Sequence, residues 1–112
     1  VGGTAQGLAT ALLEELRYDA EGQPLSTTFM DFLIPTSMEV PELKIGHEET
    51  PSPITVHGIK GGGEAGRMMA PSALSNAIDD ALKDYDVHVT TLPATPERII
   101  HWMTEGETAA QS

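Results

Sequence analysis

The stretch ITVHGIKGGGEAGRMMAPSALSNAIDDAL, residues 54–82, is the most informative about the fold, because its predicted structure changes from strand to loop and then from loop to helix. Residues 54–59 predict a strand, and residues 60–66 form a glycine-rich loop. Pro71 suits the first turn of a helix, whose apolar positions follow at helical spacing. These positions are Leu74, Ala77, Ile78, Ala81 and Leu82. A strand, a glycine loop and a helix in succession indicate a fold that combines sheet and helix.

Upstream of this stretch, the sequence predicts an amphipathic helix over Thr4–Arg17. Its apolar positions recur every three or four residues: Ala5, Leu8, Ala9, Leu12, Leu13 and Leu16. Gly7 lies inside the helix and costs about 1 kcal/mol relative to alanine, so we expect another element to approach its face closely. Because no strand precedes this helix, part of its packing surface should come from elements that the chain does not contain.

Three further strands and a last helix complete the predicted elements. Thr27–Ile34 is apolar on both faces, residues 43–47 alternate as in a half-buried strand, and Val87–Leu92 is short. Thr95 is a candidate N-cap, followed by Pro96 in the first turn of the helix. We therefore expect an α+β fold, a small two-layer helix/sheet domain over residues 1–103, with a disordered tail at residues 104–112.

Composition excludes several classes of function. The 112 residues contain 6 Lys and Arg against 17 Asp and Glu, a net charge of −11, so nucleic acid is an unfavourable partner. With no cysteine, the chain has no disulfide, thiolate metal site or catalytic thiol. It also shows no apolar run of about 18 residues and no signal peptide. The expectation is a soluble, cytoplasmic protein with no membrane partner.

The glycine loop allows three interpretations. Gly61, Gly63 and Gly66 match the G-x-G-x-x-G pattern of dinucleotide-binding sites, although Glu64 would place a carboxylate beside the pyrophosphate. A glycine-rich turn without a ligand is the second interpretation. In the third, the small neighbours of Glu64 let a bulky ligand approach, and partial desolvation turns the carboxylate into a general base. Lys60 would then balance its charge.

A second glycine cluster, Gly2–Gly7, begins the first helix. Unpaired N–H groups at a helix start favour phosphate, and the Gln6 amide is a possible donor to it. A small-residue helix start packed against another backbone is an equally good interpretation. The four histidines are scattered without metal-ligand spacing, so no protein-ligated metal is expected.

Several blocks together resemble one known family. They are GGTAQGLATALLEEL (2–16), DAEGQPLSTTFMDFLIP (19–35), VPELKI (40–45), ETPSP (49–53), GIKGGGEAG (58–66) and LPATPERI (92–99). In this order they resemble the C-terminal part of the molybdenum-binding large subunit of molybdenum hydroxylases. That family includes carbon monoxide dehydrogenase large chains, aldehyde oxidases and xanthine dehydrogenases. The expected domain is then part of a larger molybdenum-cofactor-binding domain.

The resemblance implies roles for particular residues. Glu64 matches the family's base, and the resemblance implies hydroxylation of an aldehyde, an N-heterocycle or a CO-like substrate with oxygen taken from water. Gln6 matches a residue that binds the molybdenum-pterin cofactor, and the backbone of Lys60, Gly61, Gly62 and Gly63 would lie along that cofactor. Arg67-Met68-Met69 departs from the smaller, uncharged residues expected after the loop.

The resemblance also implies partners. Family members hold the cofactor between two large halves of a longer chain and pass electrons to iron–sulfur and flavin centres. The chain is therefore expected to be a fragment or a small subunit that works with the remaining molybdenum-binding part and with iron–sulfur and flavin partners. Self-association through exposed apolar surface is also expected. The alternative is a non-catalytic interaction or anion-binding domain derived from the family.

Overall fold

Residues 1–110 form four α-helices, and long irregular segments follow the first and the third of them. A computed structural model describes the backbone of residues 1–110 and the side chains of residues 1–105. The helices are α1 (Gly2–Leu12), α2 (Ala65–Met68), α3 (Ala70–Ala81) and α4 (Pro96–Ala110). Single 3₁₀ turns lie at Val56–Gly58 and Lys83–Tyr85. Among these residues, no helix is both long and apolar enough to span a membrane.

The expected α+β fold is wrong, because residues 1–110 form no sheet. Their only strand-like pairing is an isolated bridge between Tyr18 and Pro24. None of the four predicted strands forms at residues 27–34, 43–47, 54–59 or 87–92. A strand is stable only when a neighbouring strand accepts its backbone hydrogen bonds, and residues 1–110 supply no such neighbour. In this chain, alternating apolar residues therefore do not indicate strands. They indicate a surface that another part of the protein would cover.

The segment 27–34 shows what replaces a strand. The backbone N–H groups of Asp31 and Phe32 donate to the Thr28 carbonyl at 3.0 and 2.7 Å. The Thr28 hydroxyl donates to Asp31 Oδ2 at 2.8 Å and accepts from the Met30 N–H at 3.2 Å. Such local bonds between side chains and backbone compete directly with sheet pairing, so the segment forms a turn.

The strand predicted at residues 54–59 is replaced by a tight loop. The Ser52 N–H donates to the Gly58 carbonyl at 3.1 Å, and the Thr55 hydroxyl donates to the Ile59 carbonyl at 2.7 Å. His57 and Gly58 both have positive φ, at 59° and 71°. A left-handed pair of residues reverses the chain and ends any extended run.

The three predicted helices are confirmed, although α1 ends five residues early. From Glu15 onwards the backbone pairs with residues 25–26 instead of continuing the helix. The Leu25 N–H donates to the Arg17 carbonyl at 2.7 Å, and the Ser26 hydroxyl donates to the Glu15 carbonyl at 2.7 Å. Helix α4 extends to Ala110, into the stretch expected to be a disordered tail; residues 111–112 lie outside the described residues.

Helix α1 packs closely against α2 and α3 at glycine positions. A Cβ atom placed on Gly7 would lie 2.6 Å from Ala70 Cβ and 2.8 Å from the Arg67 carbonyl oxygen. A Cβ on Gly66 would lie 3.1 Å from both the backbone nitrogen and the hydroxyl of Thr4. The expectation that an element approaches the face of Gly7 is confirmed.

The other end of α1 is tied to the start of α4. The Ala94 N–H donates to the Ala11 carbonyl at 2.7 Å. The Arg98 guanidinium donates to the Pro93 carbonyl at 2.8 Å and also to the Glu15 carboxylate. Both side chains of this ion pair are about two-thirds buried. Helix α1 is thus fixed at both ends, which sets the position of its N-terminal turns beside α2.

Candidate functional site

The glycine loop presents bare backbone to its surroundings. A Cβ atom placed on Gly61, Gly62 or Gly63 would meet no other atom within 4 Å. Gly66 differs, because its face is filled by Thr4. The first three glycines therefore leave open space beside the chain, whereas the fourth serves helix packing.

Glu64 lies where the loop becomes helix α2. Its carbonyl accepts the N–H groups of Arg67 and Met68 at 2.9 and 3.1 Å, which fixes its backbone. Its side chain is 78% exposed and lines a shallow cleft together with the three glycines and Met68. The expected partial desolvation is absent within the described residues, so it requires something that covers this cleft.

Arg67, and not Lys60, is the cation that lies next to Glu64. Arg67 Nη1 is 3.9 Å from Glu64 Oε1, one helical turn further along the chain. Lys60 Nζ instead donates to the Thr50 hydroxyl at 2.6 Å and so ties the loop to the segment before it. The interpretation of Lys60 as the charge partner is not supported by these contacts. The sequence analysis missed this pair; the i, i+3 spacing of Glu64 and Arg67 is the signal that could have identified it once a helix was predicted at these residues.

Gln6 comes close to the same region from α1. Its side chain is exposed, and it lies between Gly3 and Gly7 in sequence. Both glycines pack on the backbone of Arg67: a Cβ on Gly3 would lie 3.2 Å from its nitrogen. The fold thus places the turn of α1 that carries Gln6 against the helix that follows the glycine loop, although 58 positions separate Gln6 from Glu64.

The structure does not support the interpretation of the glycine loop as a dinucleotide-binding site. That motif needs a strand before the glycines and a helix immediately after them. Here a 3₁₀ turn precedes the loop, and the third glycine of the pattern, Gly66, is packed against Thr4. Among the residues whose side chains are described, no three His, Asp or Glu side chains come together as a metal-binding group.

Comparisons with known proteins converge on one family. A family model described as a molybdopterin cofactor-binding domain matches residues 1–41. The nicotine 6-hydroxylase large subunit of Paenarthrobacter nicotinovorans is 43% identical over 99 residues, which cover 88% of this chain and 12% of that subunit. The carbon monoxide dehydrogenase large chain of Afipia carboxidovorans is 40% identical over 80 residues, 71% of this chain and 10% of that one.

A solved structure gives the same result. The crystal structure of quinoline 2-oxidoreductase from Pseudomonas putida 86 superposes with a TM-score of 0.88 and 49% sequence identity. The match covers 93% of this chain and 13% of that chain. The chain therefore spans only about an eighth of the length of the relatives it matches.

Proposed function

The chain belongs to the molybdenum-binding large subunits of the molybdenum hydroxylases, and we propose that it contributes the catalytic base, Glu64, to such an enzyme. The proposed reaction hydroxylates an electron-poor carbon, as in an aldehyde or an N-heterocycle, with oxygen taken from water. The observation that carries the proposal is the position of Glu64, the one carboxylate in an open cleft that Gly61, Gly62 and Gly63 line with bare backbone.

The loop fits a bulky cofactor. A Cβ on Gly61, Gly62 or Gly63 would occupy the space in which a flat pterin could lie against the backbone. Gln6, exposed on the adjacent turn of α1, offers an amide that both donates and accepts hydrogen bonds. We propose that these residues hold the molybdenum-pterin cofactor, together with the backbone of Lys60.

Each group has a distinct role in the proposed mechanism. The molybdenum-pterin cofactor, when bound, supplies the two-electron oxidation of the substrate carbon. Glu64 accepts the proton that is released as the water-derived oxygen attacks that carbon. The Glu64 carbonyl accepts hydrogen bonds from α2, which fixes the backbone from which the carboxylate extends at the edge of the cleft. A base fixed within reach of the transferred proton accelerates such a step by about 10² to 10⁴.

The proposal requires more protein than this chain. Glu64 is exposed here, and exclusion of water strengthens electrostatic and proton-transfer effects within a site. We propose that the remaining part of the molybdenum-binding subunit covers the cleft, and that iron–sulfur and flavin partners accept the electrons. Support comes from the relatives, which are a large subunit and a large chain and so belong to enzymes of more than one chain.

A single substitution tests the role of Glu64. In the assembled enzyme, Glu64→Gln keeps the size of the side chain and removes its basicity, so turnover should fall about 10²- to 10⁴-fold. Molybdenum content, measured by elemental analysis, should stay the same. Glu42→Gln changes an exposed carboxylate outside the loop and should leave turnover unchanged. Undiminished turnover in Glu64→Gln would refute the proposal and favour the non-catalytic interaction or anion-binding role.

A further inference from the structure

Arg67 is a charged group beside the proposed base that the mechanism leaves without a role. Its Nη1 atom lies 3.9 Å from Glu64 Oε1, which is too far for a hydrogen bond. The two groups attract each other through space, but the guanidinium makes no hydrogen bond with the described residues. The Arg67 side chain is 46% exposed, so its donors are accessible to a ligand.

The backbone of Arg67 is held firmly. Its N–H donates to the Glu64 carbonyl at 2.9 Å. Its nitrogen and its carbonyl oxygen face Gly3 and Gly7 of α1, where any Cβ atom would approach to 3.2 and 2.8 Å. Because α1 covers this side of the backbone, the side chain leaves from a rigid base. Its position beside Glu64 therefore follows from helix packing.

Two other cations of the chain, Lys60 and Arg98, already have hydrogen-bond partners. Lys60 donates to Thr50, and Arg98 donates to Pro93 and Glu15. Arg67 differs from both, because its planar set of N–H donors remains available. Such a fork matches the two oxygens of a carboxylate and binds them with paired hydrogen bonds.

When the rest of the enzyme covers the cleft, the Arg67 guanidinium needs hydrogen-bond acceptors. Once the rest of the enzyme excludes water, a guanidinium without hydrogen-bond acceptors is strongly unfavourable. Glu64 satisfies only part of this need, since it is 3.9 Å away and must stay able to accept a proton. The remaining donors then need acceptors, and an anion with two oxygens within a side-chain length of Glu64 would satisfy two of them at once.

We propose that Arg67 binds an anionic substituent of the substrate, a carboxylate, and so determines which substrates the enzyme prefers. This inference rests on the proposed function, because Glu64 marks where the reacting carbon lies. A phosphate of the cofactor offers the same chemistry. The position of Arg67 beside the base favours the substrate as the source of the anion.

The test uses the assembled enzyme and matched substrate pairs. Each pair consists of an aromatic aldehyde or N-heterocycle that bears a carboxylate, and the same ring bearing a carboxamide. The wild-type enzyme should prefer the carboxylate in at least one pair. In Arg67→Met, the ratio of kcat/KM for that carboxylate to kcat/KM for the matched carboxamide should fall about 10- to 100-fold, mostly through KM of the carboxylate. The ratio removes any effect of the substitution on Glu64 that both substrates share. Arg67→Lys should retain part of the preference.

Controls separate the possible failures. Arg17→Met removes an exposed arginine outside the site and should change neither substrate. A wild-type enzyme without a carboxylate preference, or an Arg67→Met enzyme that retains it, overturns the inference. Loss of molybdenum from Arg67→Met also overturns it, by assigning Arg67 to the cofactor. Activity in Glu64→Gln would refute the proposed function itself, whereas an inactive Glu64→Gln with unchanged Arg67→Met selectivity refutes the role of Arg67 alone.

Discussion

Single residues set how α1 meets the helix that follows the glycine loop. Gly7 has no room for a side chain, because Ala70 and the Arg67 carbonyl would lie within 3 Å of its Cβ. Gly2, in the same helix, has nothing within 4 Å. Two glycines of one helix thus have opposite surroundings, and only one of them is required by packing.

This contrast predicts opposite effects of the same substitution. Gly7→Ala should accelerate the thermal inactivation of the assembled enzyme severalfold, because overpacking costs about 1 to 3 kcal/mol and exceeds the gain in helix propensity of about 1 kcal/mol. Gly2→Ala gains the propensity without a clash and should be neutral or protective. Half-lives at one raised temperature measure both. Equal half-lives for the two variants would show that α1 does not pack as described.

The sequence singles out candidate site residues but not the contacts that they make, and particular residues show why. Glu64 and Gln6 stand out as candidates because their glycine-rich neighbours form recognisable local patterns, and their roles stay predictions. The pairing of Lys60 with Thr50, and that of Arg67 with Glu64, depends on where the backbone turns. A motif identifies residue types in order along the chain, whereas charge partners are set by three-dimensional positions.

At the scale of elements, helices were predictable and strands were not. A helix satisfies its backbone hydrogen bonds within itself, so the local pattern at Pro71 or at Thr95-Pro96 suffices to place it. A strand depends on a distant partner. Over residues 27–34 the hydroxyl and carbonyl of Thr28 accept hydrogen bonds from nearby backbone N–H groups. These local bonds compete with sheet pairing, and the apolar periodicity of the sequence does not reveal them.

The start of α4 offers a prediction about pH. Hydrogen bonds from the backbone N–H of Glu97 and from the Thr95 hydroxyl lower the pKa of the Glu97 carboxyl below its ordinary value of 4.5. The carboxylate form is thus favoured in the folded state, so its contribution to α4 is present above about pH 4.5 and is lost as the pH falls through the lowered pKa.

Thr95→Val tests this arrangement. The substitution removes the hydroxyl and keeps the shape, so the pKa of Glu97 should rise towards 4.5 while the backbone bond holds it below that value. Carboxyl titration of the assembled enzyme by NMR, with this chain isotopically labelled, measures the change. Glu39, whose pKa is lowered by the Thr36 hydroxyl, serves as an internal control and should not move. An unchanged Glu97 titration would contradict the described start of α4.

At the scale of the whole molecule, the chain is too open to stand as an isolated globule. Its radius of gyration is 18.1 Å, against about 13 Å for a compact domain of this length. Its accessible surface is 8784 Å², against about 6,000 Å² for a folded monomer of this mass. The excess of roughly 2,800 Å² far exceeds the ~800 Å² that one partner contributes to a standard interface.

The composition of this surface indicates what it is for. The buried apolar side chains are small, Ala9, Ala11, Val87 and Ala94, while many large ones are exposed. The exposed ones include Phe29, Met30, Met38, Ile54 and Val56. A chain that buries only small apolar side chains and exposes many large ones leaves apolar surface for another protein part to cover. These exposed side chains support the proposal that the rest of a molybdenum hydroxylase covers this chain, and self-association of the separated chain stays a prediction.

The most direct test of the central claim is native mass spectrometry, combined with molybdenum analysis, on the chain purified from its own source. We expect the chain in a larger assembly that carries molybdenum, because both the open cleft at Glu64 and the exposed apolar surface require a partner. Recovery of the chain alone and free of metal would contradict a role in catalysis.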